Sequence, residues 1–142
     1  MTSQLATQIE TGAALMAATF AVHAVMIVLG RLMFDRPLPC APALRVAVDT
    51  GRLTLVAVWL LLAHLAAAAC WAWTYVRVGV SDDFESGLYF ALTTYTTLGF
   101  GDVLAPEEWQ LLTGLAGMNG LLLFALSSAV LLDATQRMRH GS

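Results

Sequence analysis

Charge-free apolar runs set the frame of this chain. Residues 11–30 carry no charge between Glu10 and Arg31, residues 53–76 none between Arg52 and Arg77, and residues 109–132 none between Glu108 and Asp133. Each run has about 20 residues or more, enough as a helix to cross roughly 30 Å of hydrocarbon. The pattern predicts three membrane-spanning helices. The first is not read as a cleavable leader: no basic segment precedes it, it is too long, and it lacks a clean small-residue cleavage site.

Between the second and third runs, residues 81–96 are too short and too polar to span. Asp82 with Glu85 three residues later reads as an Asp version of the capping box. A helix of about 13 residues from there would be roughly 20 Å long and reach partway into the membrane. It has to end at Thr97-Leu98-Gly99-Phe100-Gly101-Asp102, where two glycines fall within five residues. Glycine permits backbone angles that other residues avoid, so such a run can turn successive carbonyl oxygens toward a common axis. Copies arranged around that axis would stack oxygen rings that replace the water shell of a cation. The chain then returns outward through Asp102 to Pro106. Irregular backbone at this depth must be buried in protein or line water. Three helices cannot provide that alone; several copies around one axis can. The short helices would aim their C-terminal, partly negative ends at the axis and favour a cation there.

Composition agrees with a membrane protein: of 142 residues, 58% are hydrophobic and 12% charged, far from a soluble domain. The net charge of −3 gives no basic surface for nucleic acid. Cys40 and Cys70 stand far apart in unlike contexts and read as free apolar residues rather than a disulfide. All seven basic residues are Arg, which suggests a GC-rich bacterial source. Arg31, Arg36, Arg45 and Arg52 precede the second span, Arg137 and Arg139 follow the third, and Arg77 alone lies between those two. The positive-inside rule then places the N-terminus outside and the C-terminus in the cytoplasm of an inner membrane. Asp82, Asp83, Glu85, Asp102, Glu107 and Glu108 fall outside, as a negative vestibule that concentrates cations. Trp71, Trp73, Tyr75 and Trp109 fall at the outer aromatic belt, and Phe34 at the inner interface. In the linker 37–51, prolines 37, 39 and 42 break any early helix. Residues 43–50 have two open readings, a short interfacial helix or a plain connector.

In the order outer helix, short helix, glycine loop, inner helix, Thr-Thr-Leu-Gly-Phe-Gly-Asp resembles the filter of the tetrameric potassium-channel pore family, Thr-Thr-Val-Gly-Tyr-Gly-Asp, over roughly residues 53–133. The resemblance implies an all-α membrane protein with three transmembrane helices, a re-entrant pore helix and a selectivity-filter loop, assembled as a homotetramer. It implies K+ ligation by the carbonyls of Thr97, Leu98, Gly99 and Phe100 and the Thr97 hydroxyl, with Gly101 completing the loop and Asp102 holding it from outside. Phe100 lacks the phenol hydroxyl that commonly anchors the filter to the pore helix. Thr93 stands where some members place a buried acid facing the Asp, and Tyr89 and Phe90 where some have aromatic cuff residues. These departures bear on filter stability and inactivation. The organisation follows: residues 1–36 a first span without counterpart in the simplest members, 37–51 the linker, 52–136 the pore domain, and 137–142 a short tail holding no gating domain. Arg31 alone at the inner end of the first span argues against a voltage sensor.

Within the third span, Gly114, Gly117 and Gly120 recur every third residue. Gly114 and Gly117 read as packing contacts, Gly120 as either a gate hinge or another contact. Asn119 is expected to make a polar contact that touches the cavity. Ser127 and Ser128 line the inner pore or bond back to their own helix. Asp133 draws cations to the inner mouth or pairs with Arg137 at i+4. His23 and His64 read as interhelical hydrogen-bonding groups rather than metal ligands. No catalytic constellation and no cofactor site is present in the sequence, so an enzyme is not expected. The reading is a potassium channel pore subunit whose partners are lipid, K+ and its own copies. Its rivals are a non-selective cation channel and a non-conducting membrane assembly partner.

Overall fold

The computed structural model describes residues 2–34 and 41–140. The described residues form four α-helices: α1 (Thr2–Phe34), α2 (Arg45–Arg77), α3 (Phe84–Tyr95) and α4 (Gln110–His140). No strand occurs among the described residues. The fold class is all-helical, with α1, α2 and α4 each long and apolar enough to cross a membrane. At 33, 33 and 31 residues they are roughly 50 Å long, so their ends extend beyond the hydrocarbon.

Two boundaries differ from expectation. Residues 43–50 are neither a separate interfacial helix nor a connector: a single 3-10 turn, Pro42–Leu44, runs straight into α2 at Arg45. Pro42 sits where a proline is tolerated, at the first turn, and nothing after it interrupts the helical run. The cap of α3 is Asp83, not Asp82: its carboxylate accepts the Ser86 backbone N–H at 2.9 Å and the Ser86 hydroxyl at 2.9 Å. Asp83 has extended backbone angles, which let its side chain turn back over the first turn. Those bonds hold its carboxyl below the ordinary range. Arg36, Pro37, Leu38, Pro39 and Cys40 lie outside the described residues, and Cys70 is a free thiol.

α2 ends in a glycine-dependent motif. Gly79 adopts φ 77°, and the N–H of Val80 donates to the Tyr75 carbonyl at 2.8 Å, satisfying an end that would otherwise be bare. The chain then folds back as α3, which packs between α2 and α4. Ala63, Ala67, Ala68 and Ala72 are fully enclosed and form a ridge of small side chains on α2. Small residues let helices approach closely where lipid offers no hydrophobic drive for association. Trp71, Tyr75, Phe90, Tyr95, Leu112 and Leu123 fill the space around that ridge.

α1 lies parallel to α4 and antiparallel to α2. Gln8 Oε1 accepts from the Leu112 N–H, Asn119 Nδ2 donates to Thr19, His23 bonds Ser127, and Arg31 pairs with Asp133, all in rising order. On α2 the order reverses: Trp59 Nε1 donates to the Met26 carbonyl, and Arg52 to the Phe34 carbonyl. Trp71 and Tyr75 are not belt residues. They share the α2 face that covers α3, while Trp73 points outward beneath the Arg77 guanidinium, 5.7 Å from its ring centre.

Candidate functional site

The loop after α3 is shaped by its backbone. Thr97, Gly99 and Gly101 have φ of 60°, 51° and 80°, while Leu98 and Phe100 between them do not enter the positive region. Glycine takes such angles freely, but Thr97 does so against a steric cost of about 1–2 kcal/mol. The N–H of Thr97 donates to the Thr94 carbonyl at 3.0 Å, and the N–H of Gly99 donates to the Thr93 carbonyl at 3.1 Å. Both donors thus turn back into the C-terminal end of α3. Among the described residues, no carbonyl of residues 97–101 accepts a hydrogen bond. Leu98 and Phe100 are 61% and 67% exposed, so this chain alone does not pack the loop.

Beside the loop, the Tyr89 hydroxyl donates to Asp102 Oδ2 at 2.5 Å. Tyr89 stands on α3, so this bond ties the far end of the loop to the helix that precedes it. The bond holds the Asp102 carboxyl below its ordinary range, aided by the N–H groups of Asp102 and Val103, and raises Tyr89 correspondingly. Phe100, without a hydroxyl, cannot make such a tie. Thr93 does not face Asp102 as an acid would. It is buried, its hydroxyl donates to the Phe90 carbonyl at 3.0 Å, and its role toward the loop is the carbonyl that receives Gly99. Phe90 is buried against Tyr75, with ring centres 5.2 Å apart.

α4 supports the end of α3 through its glycines. A Cβ on Gly117 would lie 3.3 Å from the Thr94 carbonyl, and one on Gly120 only 1.8 Å from the Tyr95 carbonyl. Gly114 meets nothing within 4 Å, so the packing expected there is absent within the chain. Asn119 and Ser127 also differ from expectation. Asn119 is fully buried against Thr19, with Nδ2 donating at 2.8 Å, so it makes a polar contact but none with a cavity. Ser127 neither lines a pore surface nor bonds back to α4; it meets His23 at 2.8 Å and His64 at 2.9 Å. The physical reason is α1, which supplies polar partners at membrane depth and draws both side chains inward. Ser128 does bond back, to the Phe124 carbonyl at 2.9 Å. Asp133 receives Arg137 at i+4 and also Arg31. His23 and His64 make the interhelical bonds expected of them.

The sequence did not reveal that Tyr95 belongs to this group, its hydroxyl 3.0 Å from His64 Nδ1. Nor did it single out Thr19. The one available signal was the presence of several polar side chains inside apolar runs, which have to find one another. Among the described residues, no group of three or more metal-ligating side chains occurs.

A family model described as "Ion channel" matches residues 54–137. No curated protein and no solved structure matches the chain. The matched segment contains α2 from residue 54 onward, the α3 helix with its loop, and nearly all of α4. It covers more than half of the sequence, and the chain belongs to the ion channel family.

Proposed function

We propose that this chain is the pore subunit of a potassium-selective channel, four copies surrounding one axis with the loop of residues 97–101 as the filter. The observation that carries the reading is the one-sided loop. Its N–H groups at Thr97 and Gly99 are consumed by α3, while its carbonyls are left without partners. A backbone whose φ alternates in sign gathers successive N–H groups on one side and leaves successive carbonyls for the other. Oxygen rings of that kind suit a dehydrated cation. In the Thr-Leu-Gly-Phe-Gly register, Thr97, Leu98, Gly99 and Phe100 supply the oxygens and Gly101 closes the turn, with Asp102 and Tyr89 bracing it. The exposed side chains of Leu98 and Phe100 find their packing against neighbouring copies. Conduction is passive. The acids at residues 82, 83, 85, 102, 107 and 108 face the extracytoplasmic side, and the arginine-rich ends face the cytoplasm.

The test is the reversal potential of reconstituted channels under opposed potassium and sodium gradients. A reversal at the potassium equilibrium potential supports the reading. A reversal near zero replaces it with a non-selective cation pore, and no current with an assembly partner. Four-fold symmetry in a projection of the purified particle tests the subunit number.

A further inference from the structure

Four side chains, one from each helix, form an unbranched hydrogen-bonded row inside the bundle. Tyr95 Oη stands 3.0 Å from His64 Nδ1, His64 Nε2 stands 2.9 Å from Ser127 Oγ, and Ser127 Oγ stands 2.8 Å from His23 Nε2. Such a row has a direction, because a neutral imidazole carries one N–H and one acceptor nitrogen, and a hydroxyl donates one hydrogen. With Tyr95 donating to His64, His64 donates to Ser127 and Ser127 donates to His23 Nε2. The hydrogen of His23 then rests on Nδ1, which has no partner among the described residues. A proton taken up by the row and held on His64 ends that arrangement, because both imidazole nitrogens then carry hydrogen. His64 Nε2 still donates to Ser127, and Ser127 still donates to His23 Nε2, so both neighbours stabilise the charge, while the new hydrogen on His64 Nδ1 is aimed at Tyr95. Tyr95 becomes the acceptor and its own hydrogen loses its partner. One proton bound in the row therefore reverses a bond at the end of α3.

The row also has an approach. A recess between α1, α2 and α4 is lined by Ile27, Leu60 and Val130, with Arg31 and Asp133 at its polar end. Ile27, Leu60 and Val130 each lie one helical turn from His23, His64 and Ser127. The recess thus stops one turn short of the row, with about 20 Å³ of free volume, room for about one water.

We propose that His23, His64 and Ser127 form a proton-binding site, reached from the Arg31–Asp133 end of the bundle, whose occupancy sets the direction of the Tyr95 bond and thereby tunes conduction. The proposal rests on the pore reading above. Tyr95 is the link to the filter: it closes α3, its carbonyl abuts Gly120, and Thr97 comes two residues later. His23, His64 and Ser127 are positioning residues, and α1 becomes a working part of the channel. Among the described residues, the titratable groups facing His23 are His64 from α2 and, through it, Tyr95 from α3; α4 presents the neutral Ser127. The nearest charges, Arg31 on α1 and Asp133 on α4, are paired with each other at 2.9 Å about two turns away.

The test is potassium flux from proteoliposomes holding the full chain, followed from about pH 8 to about pH 4.5, which covers the imidazole range. Wild-type flux is expected to fall at least about threefold on acidification as the row takes up its proton. His23→Phe and Tyr95→Phe are each expected to flatten that fall. Tyr95→Phe removes a single oxygen, so it decides the matter if His23→Phe fails to fold. A flat wild-type profile, or an acid fall kept unchanged in Tyr95→Phe, overturns the proposal while leaving the pore reading intact. No wild-type flux at any pH refutes the pore reading and this proposal with it.

Discussion

A Cβ placed on Gly120 would lie 1.8 Å from the carbonyl oxygen of Tyr95. Both partners are main chain, so neither can swing aside. Gly120 is where α4 admits the end of α3, and the loop of residues 97–101 starts two residues beyond that contact. Gly120→Ala is expected to cost about 1–3 kcal/mol by overpacking, read as a lower melting temperature of the solubilised protein. Gly114→Ala, with nothing within 4 Å, is expected to melt like the wild type. Equal melting temperatures for the two variants would remove the packing account of Gly120.

Gly99 makes the opposite case. Its Cβ direction is open, but its φ is 51°. Gly99→Ala therefore meets no clash and suffers only from backbone strain, about 1–2 kcal/mol. Potassium flux is expected to vanish while the oligomer still assembles, as judged by its elution in detergent. Wild-type flux in this variant would falsify the filter assignment.

Tyr89→Phe deletes the hydroxyl that holds Asp102. Channels carrying it are expected to open and then lose current faster than wild type, because the loop keeps its backbone but loses its outer tie. Current decay in reconstituted channels measures this, and unchanged decay would show the bond to be idle.

The same bond fixes a pH sign. The Asp102 carboxyl is held below its ordinary value of 3.8 by Tyr89. A depressed carboxyl contributes stability above its unfolded value and loses it as pH falls through the folded one. The Tyr89 tie is thus intact at neutral pH and through mild acid, and fails only in acid stronger than the ordinary carboxyl value of 3.8. Current decay in wild type should approach that of Tyr89→Phe when the solution facing Asp102 is strongly acidic and be independent of pH above that range.

Asn119 and Thr19 join α4 to α1. Asn119→Ala is expected to cost about 0.6–1.7 kcal/mol, the range of polar contacts between membrane helices, and Thr19→Val to cost nearly the same. Since one bond connects them, the double variant should cost little more than either alone. Single-channel conductance should stay close to wild type, since Asn119 has no exposed surface. A large change in conductance would put Asn119 back at the cavity.

Much of this architecture was legible in one dimension. Charge-free runs are a solvent property: a helix in lipid cannot carry exposed charge, so residues 11–30, 53–76 and 109–132 announce themselves. The glycines at 99 and 101 marked the irregular loop, since only positive φ explains them cheaply there. The cap of α3 was misplaced by one residue, because Asp82 and Asp83 are chemically equal and only the local angles choose between them. Residues 43–50 were undecidable for a similar reason, as a proline can end one helix or begin the next, and its neighbours in space choose between the two.

By itself, then, the sequence determined the number of spans, the re-entrant helix and the loop that ends it, because lipid and glycine act on each segment separately. The tertiary structure alone decided which way the polar and aromatic side chains inside those spans turn. Trp71, Tyr75, Asn119 and Ser127 each had a lipid or cavity side available, and each turns inward. The partners of Asn119 and Ser127, which are Thr19, His23 and His64, come from other helices. A buried polar group goes where its hydrogen bond is, and the position of that partner is a property of the packed bundle.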